Sequence, residues 1–214
     1  MTSEKDLMLA GQPYIAKDEQ LSKERDTGHQ LVYEFNQTPP RDQAKAEKLL
    51  NEKIIDAPSM DAYIDLPVHI DYGPNIHVGK RFYANFNCTF LDSAPITIGD
   101  NVMLAPNVSL YTAGHPLDSA IRNDPMDLET AEPITIGNNV WLGGSVVICP
   151  GVTIGDNVIV GAGAVVTKDI PDNVIAVGNP TRVLRQLTAK DHQYWEEQRK
   201  LHDQRIAGTI EFKK

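Results

Sequence analysis

IGNNVW LGGSVV ICPGVT IGDNVI VGAGAV VTK, running from Ile136 to Lys168, repeats in sixes. An aliphatic residue returns at Ile136, Leu142, Ile148, Ile154, Val160 and Val166. A smaller apolar residue follows four places later, at Val140, Val146, Val152, Val158 and Ala164. A helix repeats at about 3.6 residues and a lone strand at about two, so neither explains the spacing. A coil of three short strands and three corners does, because every sixth side chain then points inward. Gly, Asn and Asp follow the aliphatic positions, and these residues tolerate tight corner conformations. Successive coils stack as parallel strands about 4.8 Å apart. The pattern predicts a mainly β chain built as a parallel β-helix of hexapeptide repeats.

The same pattern extends N-terminally through Ile98, Leu104 and Leu110, with Val102 and Val108, and more weakly through Val78, Ala84 and Phe90. It breaks between Tyr111 and Pro133. That insert is rich in Gly, Pro, Asp and Asn, which predicts a loop leaving the coil. A rigid stack carrying one excursion is a common way to hold functional residues. Both ends read as helical. Thr2 or Ser3 caps a short helix stopped by Gly11. A second helix spans Asp18 to Asn36 and buries Leu21, Leu31, Val32 and Phe35. A third begins near Pro39 and Pro40, where proline suits a first turn, and runs to Ile55. Thr188 caps a last helix to about Arg205, followed by GTIEFKK as a short strand or tail. The expected organisation is an N-terminal helical acceptor-side region over 1–58, the β-helix over 59–187 with its loop at 111–133, and a C-terminal helix and tail over 188–214.

Composition narrows the function. A chain of 214 residues with 41% hydrophobic and 23% charged residues is ordinary for a globular protein. The net charge of −9 argues against a nucleic-acid partner, which would call for a basic surface. Apolar runs are too short to span a membrane. The acidic start, MTSEKDLMLAG, lacks the apolar core of a secretory signal, so a cytoplasmic location is expected. Cys88 and Cys149 stand far apart outside any CxxC pattern, and read as two buried thiols.

Five motifs carry a resemblance: YEFN at Tyr33–Asn36, YANFNC at Tyr83–Cys88, IGDNVMLAPNVSLYTAGHP at Ile98–Pro116, ITIGNNVWLGG at Ile134–Gly144, and VTKDIPDNVIAVGNPTRV at Val166–Val183. With them the chain resembles the maltose and galactoside O-acetyltransferases, a branch of the left-handed β-helix acetyltransferases. The resemblance implies a left-handed coil and a homotrimer with sites between subunits. It also implies direct transfer of acetyl from acetyl-CoA, a co-substrate, to a sugar hydroxyl, with no metal required.

Such a transfer needs a base for the hydroxyl proton, donors for the developing oxyanion, and a grip on the carrier. A histidine with an ordinary pKa of about 6.5 is largely neutral at pH 7 and serves as the base. His115 is the histidine of the loop and matches the family's catalytic position; the other five lie at 29, 69, 77, 192 and 202. An acidic residue of the loop such as Glu129, or a backbone carbonyl, would orient its ring. Asn85 matches the family residue beside the reacting groups, and reads equally as a corner asparagine. The Gly144 N–H resembles the family's oxyanion donor, where glycine admits a ligand closely; a simple turn glycine is the alternative. On the acceptor side the resemblance gives Arg25, Asp71, Tyr83, Asp92 and Ser93. On the cofactor side it gives Trp141, Gly143, Gly144 and Ala162 for the pantetheine arm. Thr167, Lys168, Arg182 and Arg185 fall at the nucleotide and phosphate contacts, where positive charge is expected.

Two departures bear on specificity. Ala16 falls where galactoside enzymes carry an aspartate, and Ser93 replaces an acidic residue. Both favour maltose or glucose over galactosides, with Asp18 placed to reach back. Zinc hydratases share this kind of coil but need three converging histidines. After His115 none follows until His192. A scaffolding β-helix would need neither the loop histidine nor the basic cluster. An antibiotic-modifying acetyltransferase is disfavoured by the N-terminal helices with YEFN.

Overall fold

The structure is a computed structural model and describes residues 2–209. Three stacks of short parallel strands form the three sides of a coil. One is a four-stranded sheet ordered Thr153–Ile154, Ile134–Ile136, Ile96–Ile98, Ile76–Val78. The second has seven strands and runs from Tyr63–Ile64 up to Val174–Val177, with Arg182–Gln186 closing its edge antiparallel. The third has five, from Val68–Ile70 to Val165–Val166. The aliphatic positions of the repeat are the core: Leu104, Leu110, Leu142, Ile148, Val160 and Val166 are fully buried. Each such side chain taken from water contributes about 1.5–3 kcal/mol, before the opposing loss of chain entropy. Corner residues Asn139, Ser145, Gly151 and Asn157 adopt positive φ at intervals of six, where glycine or a short polar side chain tolerates the left-handed region.

The repeat is regular in the upper half and stretched in the lower. Trp141 pairs with Ile159 and Val147 with Val165, whereas Ile76 pairs with Ile96 and Tyr83 with Met103. The extra residues of each lower rung fall at one corner, where the five-stranded sheet turns into the four-stranded one. They lie between the inward residues Ile70 and Val78, and again between Phe90 and Ile98. One rung higher, the excursion after Tyr111 leaves from this same corner and returns at Ile134. We call it the wide corner. The corner between the seven- and five-stranded sheets carries Asn85 and Gly143 and has no such insertion.

Helices pack against the lower end. α1 (Glu4–Leu9) is capped by a reciprocal Ser3–Asp6 pair. α2 (Glu19–Asn36) is capped by Asp18 and buries Leu21, Gly28, Val32 and Phe35; Leu31 is only half-buried. The expected third helix divides into a 3-10 turn at Pro40–Asp42, α3 (Gln43–Leu49), and a π turn at Leu50–Ile54. The excursion is more ordered than a loop. Ala113–Gly114 and Tyr14–Ile15 flank Leu128–Ala131 in an antiparallel sheet, with α4 (Ser119–Arg122) between. α5 (Ala189–Ile206) follows Thr188 and buries no residue. Residues 210–214, most of the GTIEFKK segment, lie outside the described residues. No helix among the described residues is long and apolar enough to cross a membrane.

Candidate active site

The wide corner gathers most of the residues expected to hold the acceptor. Asp71 and Tyr72 sit in its first widening, Asp92 and Ser93 in its second, and His115 on the excursion. α2 brings Arg25, whose Nη1 donates to the Tyr72 hydroxyl at 3.0 Å and lies over its ring. Burial works against the Arg25 charge, but Tyr72, Asp71 and Glu129 outweigh it and hold the group above its ordinary range. Asp71 accepts from His29 at 3.4 Å when that ring nitrogen carries hydrogen. Two residues missed in the sequence, Tyr14 and Tyr72, complete the cluster. Tyr14 is buried and donates to Glu129 Oε2 at 2.8 Å. Burial pushes the phenols of Tyr14 and Tyr72 up. Glu129 therefore has Tyr14 as its partner rather than the histidine. The signal for Tyr72 was present: it lies where the six-residue spacing fails.

One expected acceptor contact, Asp92, is corrected, and a second, Tyr83, has partners within the chain. Asp92 is fully buried, and its two oxygens accept the N–H groups of Tyr72 at 2.9 Å and Gly73 at 2.7 Å. It cannot touch a sugar. Tyr83 stands on the outer face of the seven-stranded sheet, stacked on Tyr63. Its hydroxyl donates to Asp65 at 2.7 Å, which with partial burial pushes it up to about 12. Ser93 is also buried, behind Tyr14. Arg25, Asp71 and Glu129 are the half-buried polar groups left to meet a ligand.

His115 follows Gly114, which pairs with Thr130, and is exposed. Among the described residues nothing hydrogen-bonds its ring. Asn85 stands at the other corner. Its Oδ1 accepts the Phe86 N–H at 2.8 Å, which fixes the amide orientation and leaves its NH2 outward as a free donor. Two rungs above, Gly143 and Gly144 line the same corner. A Cβ on Gly143 would meet the Ala162 nitrogen at 2.6 Å, so packing requires glycine there. A Cβ on Gly144 would meet only Pro106 O at 3.5 Å, and its φ is not positive. Neither packing nor the turn requires that glycine. Among the described residues the N–H groups of Gly144 and Ala162 have no acceptor, and so offer a column of outward donors about 4.8 Å apart. Trp141 is 48% exposed on the adjoining seven-stranded face. Arg185 stands at the upper edge of that face, bidentate to Asp191 at 2.7 and 2.9 Å. Arg182 is exposed beside it, while Thr167 and Lys168 are exposed above the wide corner. Among the described residues no three His, Cys, Asp or Glu side chains gather to hold a metal. Cys88 is buried, which pushes its thiol up to about 11, but Cys149 is half-buried rather than buried.

The two sets stand at opposite edges of the five-stranded face. Asn85 precedes the strand Cys88–Leu91, and His115 follows Ser109–Tyr111 one rung up. The strand length between the edges is roughly 15–20 Å. One chain therefore offers an acceptor-and-base edge and a donor-and-carrier edge, but does not bring them together.

Residues 7–54 match the maltose acetyltransferase hexapeptide capping motif, and residues 133–168 match the bacterial transferase hexapeptide of six repeats. Galactoside O-acetyltransferase of Escherichia coli (strain K12) is 47% identical over 187 residues, which cover 87% of this chain and 90% of that one. The chain belongs to the maltose and galactoside O-acetyltransferase family. It shares the fold and 49% identity with a maltose O-acetyltransferase from Clostridium difficile 630, at a TM-score of 0.83 over 87% of this chain and 98% of that one. A galactoside acetyltransferase in complex with coenzyme A is 45% identical at a TM-score of 0.83, over 90% and 94%. As a member of this family the protein is an acyltransferase with a parallel β-helix of hexapeptide repeats.

Proposed function

We propose that the protein transfers acetyl from acetyl-CoA directly to a hydroxyl of a small neutral sugar. The transfer takes place at sites shared between neighbouring subunits of a homotrimer. The observation that carries this reading is the placement of His115 and Asn85 on opposite edges of one face. A ring of three chains, each presenting one edge to the next, closes with three complete sites. In this reading residues 1–58, the excursion and the wide corner of the coil bind the acceptor, and the rest of the coil over 59–187 binds the carrier.

The chemistry follows from these groups. Arg25, Asp71 and Glu129 bond the hydroxyls of the sugar. The His115 ring takes the proton of the attacking hydroxyl as its oxygen adds to the thioester carbonyl. The Gly144 N–H donates to the oxyanion, and the Asn85 NH2 donates to the reacting oxygens. Collapse breaks the carbon–sulfur bond, and the departing thiolate recovers the proton from His115. Trp141, Gly143 and Ala162 line the path of the pantetheine arm, with Thr167, Lys168, Arg182 and Arg185 for the phosphates. Maltose or glucose is the preferred acceptor, because Ala16 leaves the N-terminal strand without a carboxylate.

An acceptor screen tests the reading. With acetyl-CoA present, free thiol should be released faster on addition of maltose or glucose, and in proportion to acetylated sugar. No sugar-dependent release from any hexose or disaccharide would overturn it.

A further inference from the structure

The widening of the coil at the wide corner puts a carboxylate where no ligand reaches it. Asp92 is 0% exposed and is the one carboxylate among the buried residues described, with Ser93 and Thr112 buried beside it. Its oxygens are divided, one to the N–H of Tyr72 and one to the N–H of Gly73. Its own carbonyl accepts from Asn75 Nδ2 at 2.7 Å, so the second widening clasps the first from both ends. α2 closes the other side: a Cβ on Gly28 would meet the carbonyl oxygens of Tyr72 at 2.5 Å and Asp71 at 2.6 Å. The turn that carries Asp71 and Tyr72 is thus held between helix backbone and a buried anion.

We propose that Asp92 is the positioning residue of the acceptor pocket, its carboxylate fixing the Asp71–Gly73 turn and with it the sugar-facing Asp71 and the Tyr72 hydroxyl that anchors Arg25. This rests on the acceptor pocket assigned above. A carboxylate suits the task because two separate oxygens accept two neighbouring N–H groups. A neutral acid or an amide presents one donor in place of one acceptor, and leaves a buried N–H unpaired. Burial raises the acid to about 6, against the pull of the two N–H groups and with help from Asp71. Loss of the anion therefore falls within a reachable pH range. The charged and titratable groups on the surrounding elements are Arg25 and His29 on α2, Asp71 and Tyr72 on the turn, Tyr14 on the N-terminal strand and Glu129 on the excursion.

Steady-state kinetics of the full-length protein, varying sugar and acetyl-CoA separately, test this with Asp92→Asn, Asp71→Asn and His29→Gln. Asp92→Asn should raise the KM for sugar on the order of tenfold and leave the KM for acetyl-CoA within about twofold. In the unsubstituted protein and in His29→Gln, the sugar KM should rise as pH falls through about 6. In Asp92→Asn that dependence should vanish. A merely structural role would instead lower the melting temperature and disturb both KM values and kcat together. Asp92→Asn with an unchanged sugar KM, beside an Asp71→Asn that raises it, would overturn the proposal alone. An unchanged sugar KM in Asp71→Asn would overturn the pocket itself. Should Asp92→Asn fail to fold, a sugar KM that is flat with pH in His29→Gln overturns the proposal.

Discussion

Tyr14 donates to Glu129 at 2.8 Å across 115 positions of sequence, and so ties the N-terminal strand to the excursion that carries His115. The contact places a carboxylate near Arg25 in a chain whose Ala16 has none to offer. A site that bonds a particular hydroxyl discriminates sharply, and a site lacking the partner does not. One charged hydrogen bond is worth about 1.5–3 kcal/mol, or one to two orders of magnitude in preference. We expect kcat/KM to be higher for maltose and glucose than for a thiogalactoside at one acetyl-CoA concentration. Glu129→Ala should raise the KM for the preferred sugar on the order of tenfold. A clear galactoside preference would show that Asp18 or another group supplies the missing acceptor.

His115→Ala should lower kcat by about 10²–10⁴-fold, the usual worth of a general base. Binding of CoA should survive, because Trp141, Gly143, Gly144, Ala162, Arg182 and Arg185 lie along another edge. Isothermal titration with CoA beside initial rates separates the two effects. Near-normal turnover in this variant would remove His115 from the chemistry.

The adjacent glycines should respond in opposite ways. Gly143→Ala places a methyl against the Ala162 nitrogen and should lower the melting temperature. Gly144→Ala has space in the chain and should fold normally, yet lower kcat and raise the KM for acetyl-CoA by obstructing the outward N–H that meets the oxyanion. Equal acetyl-CoA kinetics in Gly144→Ala and the unsubstituted protein would mean that the carrier does not approach there.

Much of this was legible in the sequence because close packing enforces it. Ile136, Leu142 and Ile148 point inward from the three sides of one rung and stack on Ile154, Val160 and Val166 in the next, so any slip of the six-residue pattern would show. The corners were less legible, since widening by two residues reads as a fading repeat near Val78 and Phe90. Asp92 was misread as a ligand: nothing in a sequence distinguishes a carboxylate that meets a sugar from one that holds backbone. The Tyr14–Glu129 contact depends on how two distant segments pair. The edge strand Arg182–Gln186 went unseen because all five residues are exposed and leave no alternation.

Transfer should proceed without an acetyl-enzyme. Cys88 is buried with its thiol raised to about 11, and its sulfur faces the Ala105 carbonyl at 3.5 Å rather than a base. Intact-mass spectra after mixing with acetyl-CoA alone should show no added acetyl. A labelled Cys88 or Cys149 that then passes its acetyl to sugar would replace the direct mechanism.

The division of His115 and Asn85 between two edges makes the most direct test a mixture of two inactive proteins. His115→Ala and Asn85→Ala protomers, refolded together in equal amounts, should form assemblies of roughly three times the 23.7 kDa chain mass. Interfaces that draw Asn85 from one chain and His115 from the next are then intact in about a quarter of cases, if the subunits mix at random. Recovery of about a quarter of the unsubstituted activity is the predicted result. No recovery from assemblies shown by mass to contain both variants would place each site within a single chain, and contradict the shared active site.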